Sequence, residues 1–243
     1  MTQSIVMKNS SWKKFFLPAV MILGLLSSSL TSCNSDVEDS DPLVFNLVTL
    51  KSVSTTGGMT FTYRTGETTP LLTLTTPLTF STEYGIKTGD RVVIGYTVPE
   101  GRPSDEGGPI NLLNFRLVYN DTVKTATQEV INSWMAAQVN NTQVWRTGNY
   151  INAYSLIPVV TPNVYMQLFA DPASINNGSM DLYLTLSNIS TSPTQQGECY
   201  SSYHLGNFFV KYPDVHTLKV HVAGAYGGSS EVIFKDVHYL PGE

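Results

Sequence analysis

The sequence predicts an all-β protein. Short runs of alternating apolar and polar residues recur along most of the chain, and clusters of Gly, Pro and Asn separate them. Gly95 interrupts an otherwise regular apolar run, as the bends of small barrels require, and the strands beyond residue 140 are spaced as in a β-sandwich. The length is sufficient for one large all-β domain or two small ones.

The N-terminal half begins with a predicted hairpin. The runs 45–50 and 59–65 flank the turn signal Thr55-Thr56-Gly57-Gly58. In the second run Met59, Phe61 and Tyr63 share one face, which we expect to be buried. Leu71–Leu74 lies between two prolines, so we expect a short strand at a sheet edge.

Two longer strands complete the N-terminal half. Residues 91–98 form its most strongly predicted strand, with a bulge or bend expected at Gly95. Residues 110–119 predict a further strand with Leu113, Phe115 and Leu117 on one face. Residues 124–137 fit a short helix or an irregular strand equally well, and both interpretations stay open.

Asn140-Asn141-Thr142 marks a predicted boundary, after which strands dominate. Met180, Leu182, Leu184 and Leu186 alternate with polar residues, so we expect these four side chains to face a core. A C-terminal hairpin is expected around Gly227-Gly228. The predicted strands are 150–157, 164–169, 180–187, 208–212, 217–223 and 231–239.

The first 32 residues predict a signal peptide. Three lysines precede an apolar stretch, 15–26, that is too short to span a bilayer. The stretch ends at Leu30-Thr31-Ser32-Cys33, which resembles a bacterial lipobox, after which the cysteine is lipidated. We therefore expect Cys33 to carry a lipid that anchors the chain to the outer membrane.

Residues 33–41 predict an acidic tether. Four carboxylates in this segment repel one another and favour a solvated chain. The segment also resembles the signal that sends Bacteroidetes lipoproteins to the outer face of the outer membrane, which implies surface display. An acidic linker without that role is the alternative.

Charge and cysteine content exclude several classes of function. Loss of the signal peptide removes three lysines and takes the formal net charge from −5 to −8. An acidic chain without a basic stripe does not predict a nucleic-acid partner. With Cys33 lipidated, Cys199 has no partner for a disulfide, so we expect a buried, unreactive thiol.

No catalytic motif and no cofactor site are predicted. The sequence contains no nucleophile elbow, zinc-protease motif or phosphate loop. His221, His238 and Asp236 are the best candidates for a catalytic or metal site, because the last hairpin brings them near one another. We expect these histidines to be solvated and the protein not to be an enzyme.

Aromatic residues are the remaining binding candidates. Large rings serve as flat platforms for glycans or peptides, although packing in a core is the commoner role. Asp121-Thr122-Val123 fits a short signal for O-glycosylation in Bacteroidetes, which makes Thr122 a candidate site. The candidate binding rings, expected near the domain junction, are Trp134, Trp145, Tyr150 and Tyr154.

Two segments carry a resemblance to the NigD-like family of Bacteroidetes lipoproteins. They are Gly89–Tyr96 and Trp145–Asn152. The resemblance implies an OB-like β-barrel over 42–138, followed by an immunoglobulin-like β-sandwich over 139–243. It implies no biochemical activity. The expected function is a non-enzymatic binding or structural module of the envelope. The alternative is a surface protein that assists glycan binding or processing.

Overall fold

The computed structural model describes residues 43–54, 57–79, 85–100, 103, 105–134, 140–158, 166–187, 196–223 and 229–242. Residues 41–243 form one compact unit. The predicted all-β class is confirmed, since strands make up most of the described chain. The predicted signal peptide, the lipidated Cys33 and the acidic tether lie outside the described residues. Among the residues that are described, no helix has the length and apolar character needed to cross a membrane.

The N-terminal strands form one six-stranded sheet. Its order is β5-β3-β2-β1-β4-β6, and the predicted hairpin is the antiparallel pair of β1 and β2. Only Ile110 separates β5 from β6, so one run of chain pairs parallel with β3 and then antiparallel with β4. This connection is that of a partly open, OB-like barrel. The strands are β1 (Val44–Val53), β2 (Met59–Tyr63), β3 (Leu72–Thr76), β4 (Arg91–Thr97), β5 (Gly108–Pro109) and β6 (Asn111–Leu117).

The core of this sheet confirms the alternation predicted for β2 and corrects the one predicted for β6. Met59, Phe61 and Tyr63 are buried. In β6, however, Leu113 and Leu117 are exposed, and Leu112 faces the core. Phe115 packs against the core, and the register shift beside Gly95 brings Leu112, rather than Leu113, onto the same side of the sheet as Phe115.

Two further sheets form a β-sandwich. The four-stranded sheet has the order β7-β13-β10-β9, and the five-stranded sheet has the order β15-β14-β12-β11-β8. Apolar residues of both sheets share one core, which includes the four residues predicted to face inward from β12. The strands are β7 (Tyr119–Thr122), β8 (Lys124–Thr125), β9 (Asn140–Thr147), β10 (Tyr150–Pro158), β11 (Met166–Asn176), β12 (Ser179–Leu186), β13 (Gln196–His204), β14 (Thr217–Ala223) and β15 (Ser229–Phe234).

The segment that permitted either helix or strand contains both. β8 pairs with β11, and helix α1 (Gln128–Trp134) follows it, with Ile131 buried. Because β7 and β8 pair with β13 and β11, residues 119–125 are part of the sandwich sheets. The domain boundary near residue 138 stays a prediction.

One predicted strand was wrong, and β9 and β13 were missed, as were the short strands β5 and β7. Residues 208–212 lie in and just after helix α2 (Gly206–Lys211), because Leu205, Phe208 and Phe209 have helical spacing and bury one face in the sandwich core. β9 and β13 were not predicted, since polar and aromatic residues interrupt any simple alternation in them. The C-terminal hairpin of β14 and β15 is confirmed.

Candidate functional site

One surface of the four-stranded sheet carries most of the candidate binding residues. In β10, Ile151 and Ala153 face the sandwich core, so Tyr150, Asn152 and Tyr154 point to the opposite side. We call this side the tyrosine face. Pairing along the sheet places on it residues from the neighbouring strands, namely Trp145, Thr147, Glu198, Tyr200, Ser202 and His204.

A buried arginine of the N-terminal sheet reaches the middle of the tyrosine face. Arg91 follows the loop before β4 and is only 3% exposed. Its Nη2 donates to Thr147 Oγ1 at 3.3 Å and to Asn152 Oδ1 at 3.4 Å. Its guanidinium carbon lies 4.4 Å from the centre of the Tyr150 ring, a cation–π distance. We call these contacts the Arg91 joint, and they hold the N-terminal sheet against the sandwich.

A second group of residues on the tyrosine face remains partly open to solvent. Tyr154 and Tyr200 lie with ring centres 5.0 Å apart, tilted by 53°. Arg116 of β6 forms an ion pair with Glu198 and lies 5.6 Å above the Tyr200 ring. Tyr154 also donates a hydrogen bond to Glu198 Oε1 at 3.3 Å. We call these four residues the tyrosine cluster.

The tyrosine cluster presents hydrogen-bonding groups beside apolar rings. Burial and the neighbouring Glu198 raise the pKa of Tyr154, and burial raises that of Tyr200 despite the opposing effect of Arg116. Both phenols therefore stay protonated at neutral pH and can donate hydrogen bonds. Together the four side chains offer donors, an acceptor and two ring surfaces within one patch.

A cavity of about 400 Å³ lies at the other end of the tyrosine face. Buried Asn152 and Ser202 separate this cavity from the tyrosine cluster. The Asn120 side chain lines the cavity and is held in place by two hydrogen bonds to the backbone of Arg91. It accepts from the N–H of Arg91 and donates to the carbonyl of the same residue. The cavity is lined by Gly89, Asn120, Asp121, Tyr150, Ser202 and His204.

Another concave region, of about 480 Å³, lies beyond α2. Phe209, Val215 and Val237 are its buried apolar residues, and His216 and His238 also line it. The His238 ring bonds through Nδ1 to the carbonyl of Asp236, and the His216 ring packs against Gly178. Both rings thus have packing or backbone contacts that account for their positions.

The predicted aromatic candidates do not form one group. Trp145, Tyr150 and Tyr154 share the tyrosine face, and all three are half-buried. Trp134 lies elsewhere: it meets Phe169 of the five-stranded sheet edge-on at 5.2 Å. Thr122 is half-buried at the end of β7, where its carbonyl accepts from Gln167 Nε2, and its glycosylation stays a prediction.

The best catalytic candidates are not brought together. His221 lies between Asp181 and Glu231, at 3.4 and 3.6 Å, and stacks on Tyr183. No hydrogen bond joins His221 to the side chain of His238 or Asp236 within the described chain. The described ranges also contain no set of three His, Cys, Asp or Glu side chains that could hold a metal ion.

Several residues of the tyrosine face were not found from the sequence. Glu198, Tyr200, Ser202 and His204 alternate along β13, but each is polar or only partly apolar, so the hydrophobic pattern of a strand is missing. Arg91 and Arg116 are ordinary strand residues in the sequence, and only the packing of two sheets brings them to the tyrosine face.

Known proteins with a similar structure identify the fold, although none was found by sequence. No protein-family model matches the sequence, and no curated protein matches it either. A protein of unknown function from Bacteroides vulgatus has a similar structure, with a TM-score of 0.63 and 17% identity over 82% of this chain and 96% of that one. A candidate lipoprotein from Bacteroides fragilis gives a TM-score of 0.53 at 12% identity over 80% and 97% of the two chains.

A third solved structure bears directly on the predicted resemblance. It is a NigD-like immunity protein from Bacteroides caccae, similar with a TM-score of 0.54 and 17% identity over 78% of this chain and 91% of that chain. Identities this low establish the architecture alone. The predicted resemblance is confirmed at that level: this chain has the NigD-like fold.

Proposed function

We propose that the chain is a lipid-anchored protein of the cell envelope that acts as a non-enzymatic binding module. The observation that carries this proposal is the tyrosine cluster, a partly open patch of two rings and an ion pair on a rigid sheet. Aromatic and arginine side chains are enriched where proteins bind partners. The separation of His221 from His238 and Asp236 supports binding over catalysis.

The anchor rests on the lipobox-like Leu30-Thr31-Ser32-Cys33 and on the structural likeness to a candidate lipoprotein. Cells fed an alkyne fatty acid should label the wild-type chain, and Cys33→Ser should abolish the label and release the protein from the outer-membrane fraction. Protease added to intact cells should digest an outward-facing chain. Persistent labelling of Cys33→Ser would rule out this anchor, and full protection from protease would rule out surface display.

The second candidate function is that of a surface protein that assists glycan binding or processing. It is favoured by Trp145, Tyr154 and Tyr200, three rings that share the tyrosine face. Rings beside an Arg–Glu pair match the alternating apolar faces and hydroxyl groups of a sugar chain. The Tyr154 and Tyr200 rings are tilted, so they would contact a bent or branched chain better than a flat one.

A glycan array tests this second candidate with the chain from residue 33 onward, carrying Cys33→Ser. Tyr154→Ala and Tyr200→Ala should each lower the array signal at least fivefold. Tyr239→Ala, which removes an exposed ring outside the tyrosine face, should leave the signal unchanged. Equal loss in all three variants would contradict glycan binding by the tyrosine cluster, and so would the absence of a signal from the unsubstituted chain. In either case a protein partner would remain the proposed ligand.

A further inference from the structure

We propose that an apolar patch on the outer side of the N-terminal sheet lies against the surface of the lipid bilayer that holds the anchor. The patch consists of Leu43, Phe45 and Leu113, and we call it the Phe45 patch. Their side chains are 43%, 52% and 60% exposed. The inference rests on the proposed lipid anchor and assigns a partner to a surface outside the tyrosine face.

Strand alternation turns the Phe45 patch away from the core. Val48 of β1 is buried in the core of the N-terminal sheet, so Phe45, three residues earlier, lies on the outer side. Gly95 of β4 pairs with Phe45 and with Asn114, and a Cβ atom there would lie 2.8 Å from the Phe45 ring and 2.5 Å from Asn114 Oδ1. The ring therefore lies over β4 and beside the segment of β6 in which Leu113 precedes Asn114.

The position of the patch relative to the anchor points to the bilayer as its partner. Leu43, where the described chain begins, is ten residues beyond Cys33 in the sequence. An extended chain of that length spans at most about 36 Å, so a lipid on Cys33 keeps Leu43 within that distance of the bilayer. Val53, at the other end of β1, can lie about 30 Å farther away. The anchor thus favours contact through the end of the sheet that carries the Phe45 patch.

The charges of the surrounding strands are compatible with a layer of lipid headgroups. β1, β4 and β6 contain no Asp or Glu, although the formal net charge of the chain is −5. Their charged residues are Lys51, Arg91 and Arg116, all of which are cationic. Carboxylates beside the patch would be repelled by headgroup phosphates, whereas the exposed Arg116 would be attracted to them.

The size of the Phe45 patch suits a shallow contact with lipid. Phenylalanine and leucine are side chains with which peripheral proteins enter the boundary between headgroups and acyl chains. The exposed Asn114 limits the contact to side-chain depth, because its polar atoms and the strand backbone must stay hydrated.

A contact with a second copy of the chain is less well supported by the area of the patch. Three half-exposed side chains supply only part of the about 800 Å² that each partner buries in a stable protein complex. Contact with the bilayer requires less area, because the anchor already holds the chain at a high local concentration beside the lipid.

Fluorescence quenching tests the inference with the lipidated mature chain in phosphatidylcholine vesicles that contain a nitroxide-labelled lipid. A bimane label is attached at Asn111→Cys, two residues before Leu113, or at Val53→Cys, each in a Cys199→Ser background. Both labelled positions are exposed. Quenching should be at least threefold stronger at position 111 than at position 53.

Variants of the patch separate its effect from that of the tether. Phe45→Thr combined with Leu113→Thr should reduce the quenching at position 111 to the level at position 53, because the apolar contact is lost. Val53→Thr is the matched control, since it removes an apolar side chain of similar exposure and should leave the quenching at position 111 unchanged. Circular dichroism of each variant separates unfolding from loss of contact.

Three results would overturn the assignment. Equal quenching at the two positions would mean that the chain has no preferred side toward the bilayer. Quenching at position 111 that survives the loss of both Phe45 and Leu113 would attribute the proximity to the tether alone. A dimer of the unlipidated chain that dissociates in this double variant, measured by analytical ultracentrifugation, would assign the patch to a second copy.

Failure of this inference is distinguishable from failure of the proposed anchor. Persistent fatty-acid labelling of Cys33→Ser would contradict the anchor and with it the tether argument. A chain that carries the lipid on Cys33 but is quenched equally at positions 53 and 111 would keep the anchor and lose only the Phe45 patch as a membrane contact.

Discussion

At the scale of single residues, Arg91 has the largest structural consequence. Its guanidinium is removed from water, and it reaches Thr49, Thr147 and Asn152 while packing on Tyr150. A buried charge of this kind depends on the hydrogen bonds and the ring contact that replace water. The planar fork of arginine can contact several oxygens and a ring at once, which the ammonium of lysine cannot.

Arg91→Lys should therefore lower the free energy of unfolding by about 2–3 kcal/mol, since hydrogen bonds to a charged group are lost in a buried site. Urea titration followed by tryptophan fluorescence measures the change. Arg116→Lys is the matched control, because its ion pair with Glu198 is exposed and should contribute about 0–1 kcal/mol. Equal losses in the two variants would contradict the special role of Arg91.

Cys199 gives a second prediction at the residue scale. It is a free thiol, and burial raises its pKa to about 11. Since only the thiolate is nucleophilic, alkylation by iodoacetamide at pH 8 should be much slower in the folded chain than in urea. The folded-state rate should continue to rise up to about pH 11. Fast alkylation at pH 8 without denaturant, measured by mass spectrometry, would show that the thiol is accessible and ionised.

At the scale of elements, the pairing of β3 with β5 depends on a glycine. A Cβ atom at Gly107 would lie 2.7 Å from the carbonyl oxygen of Thr73, a backbone atom that cannot move without disturbing β3. The nearest atoms that a Cβ at Gly95 would meet belong to the side chains of Phe45 and Asn114, which can rotate away. A side chain at Gly107 would therefore collide with backbone, whereas a side chain at Gly95 would collide with movable side chains.

Gly107→Ala should lower the free energy of unfolding by about 1–3 kcal/mol, the usual cost of forcing atoms into a packed site. Gly95→Ala should have a distinctly smaller effect. Thermal unfolding followed by circular dichroism provides both values. If Gly95→Ala proves the more harmful, then the bulge in β6 opposite Gly95, rather than the contact between β3 and β5, limits the stability of the N-terminal sheet.

The elements also show how far the sequence determines the fold. Strict alternation located β2 and β12, because each buries one side of a regular strand, whereas a nearly continuous apolar run located β4. Alternation misled at β6, since the bulge opposite Gly95 is a property of the pairing between strands. At α2 the residues Phe208, Phe209 and Tyr212 permit helix or strand, and burial against the sandwich core decides between them.

The candidate site was less predictable, because it too depends on the pairing and packing of strands that are distant in sequence. Tyr150 and Tyr154 were identified as candidates, but their partners Arg91, Arg116 and Tyr200 are distant in sequence. Periodicity reports which side of a strand is buried and carries no information about which sheet lies opposite. Of the four predicted rings, the three on β9 and β10 share the tyrosine face, whereas Trp134 packs against Phe169 of the other sandwich sheet.

At the scale of the whole molecule, two buried arginines join the N-terminal strands to the sandwich. Arg91 contacts β9 and β10 through the Arg91 joint. Arg146 of β9 contacts Glu67, between β2 and β3, at 3.4 Å and the carbonyl of His238 at 3.3 Å. The segment after β15 is also tied to Asn149, whose side chain both donates to and accepts from the Leu240 backbone.

These contacts make the stability of one part dependent on the other, because separating the parts would leave both guanidinium groups without their present hydrogen bonds. Residues 43–242 should consequently unfold in a single calorimetric transition, with equal calorimetric and van't Hoff enthalpies. Arg91→Met combined with Arg146→Met removes both charges while keeping an apolar side chain at each site, and should resolve two transitions. Two transitions in the unsubstituted chain, or one in the double variant, would mean that other contacts set the coupling.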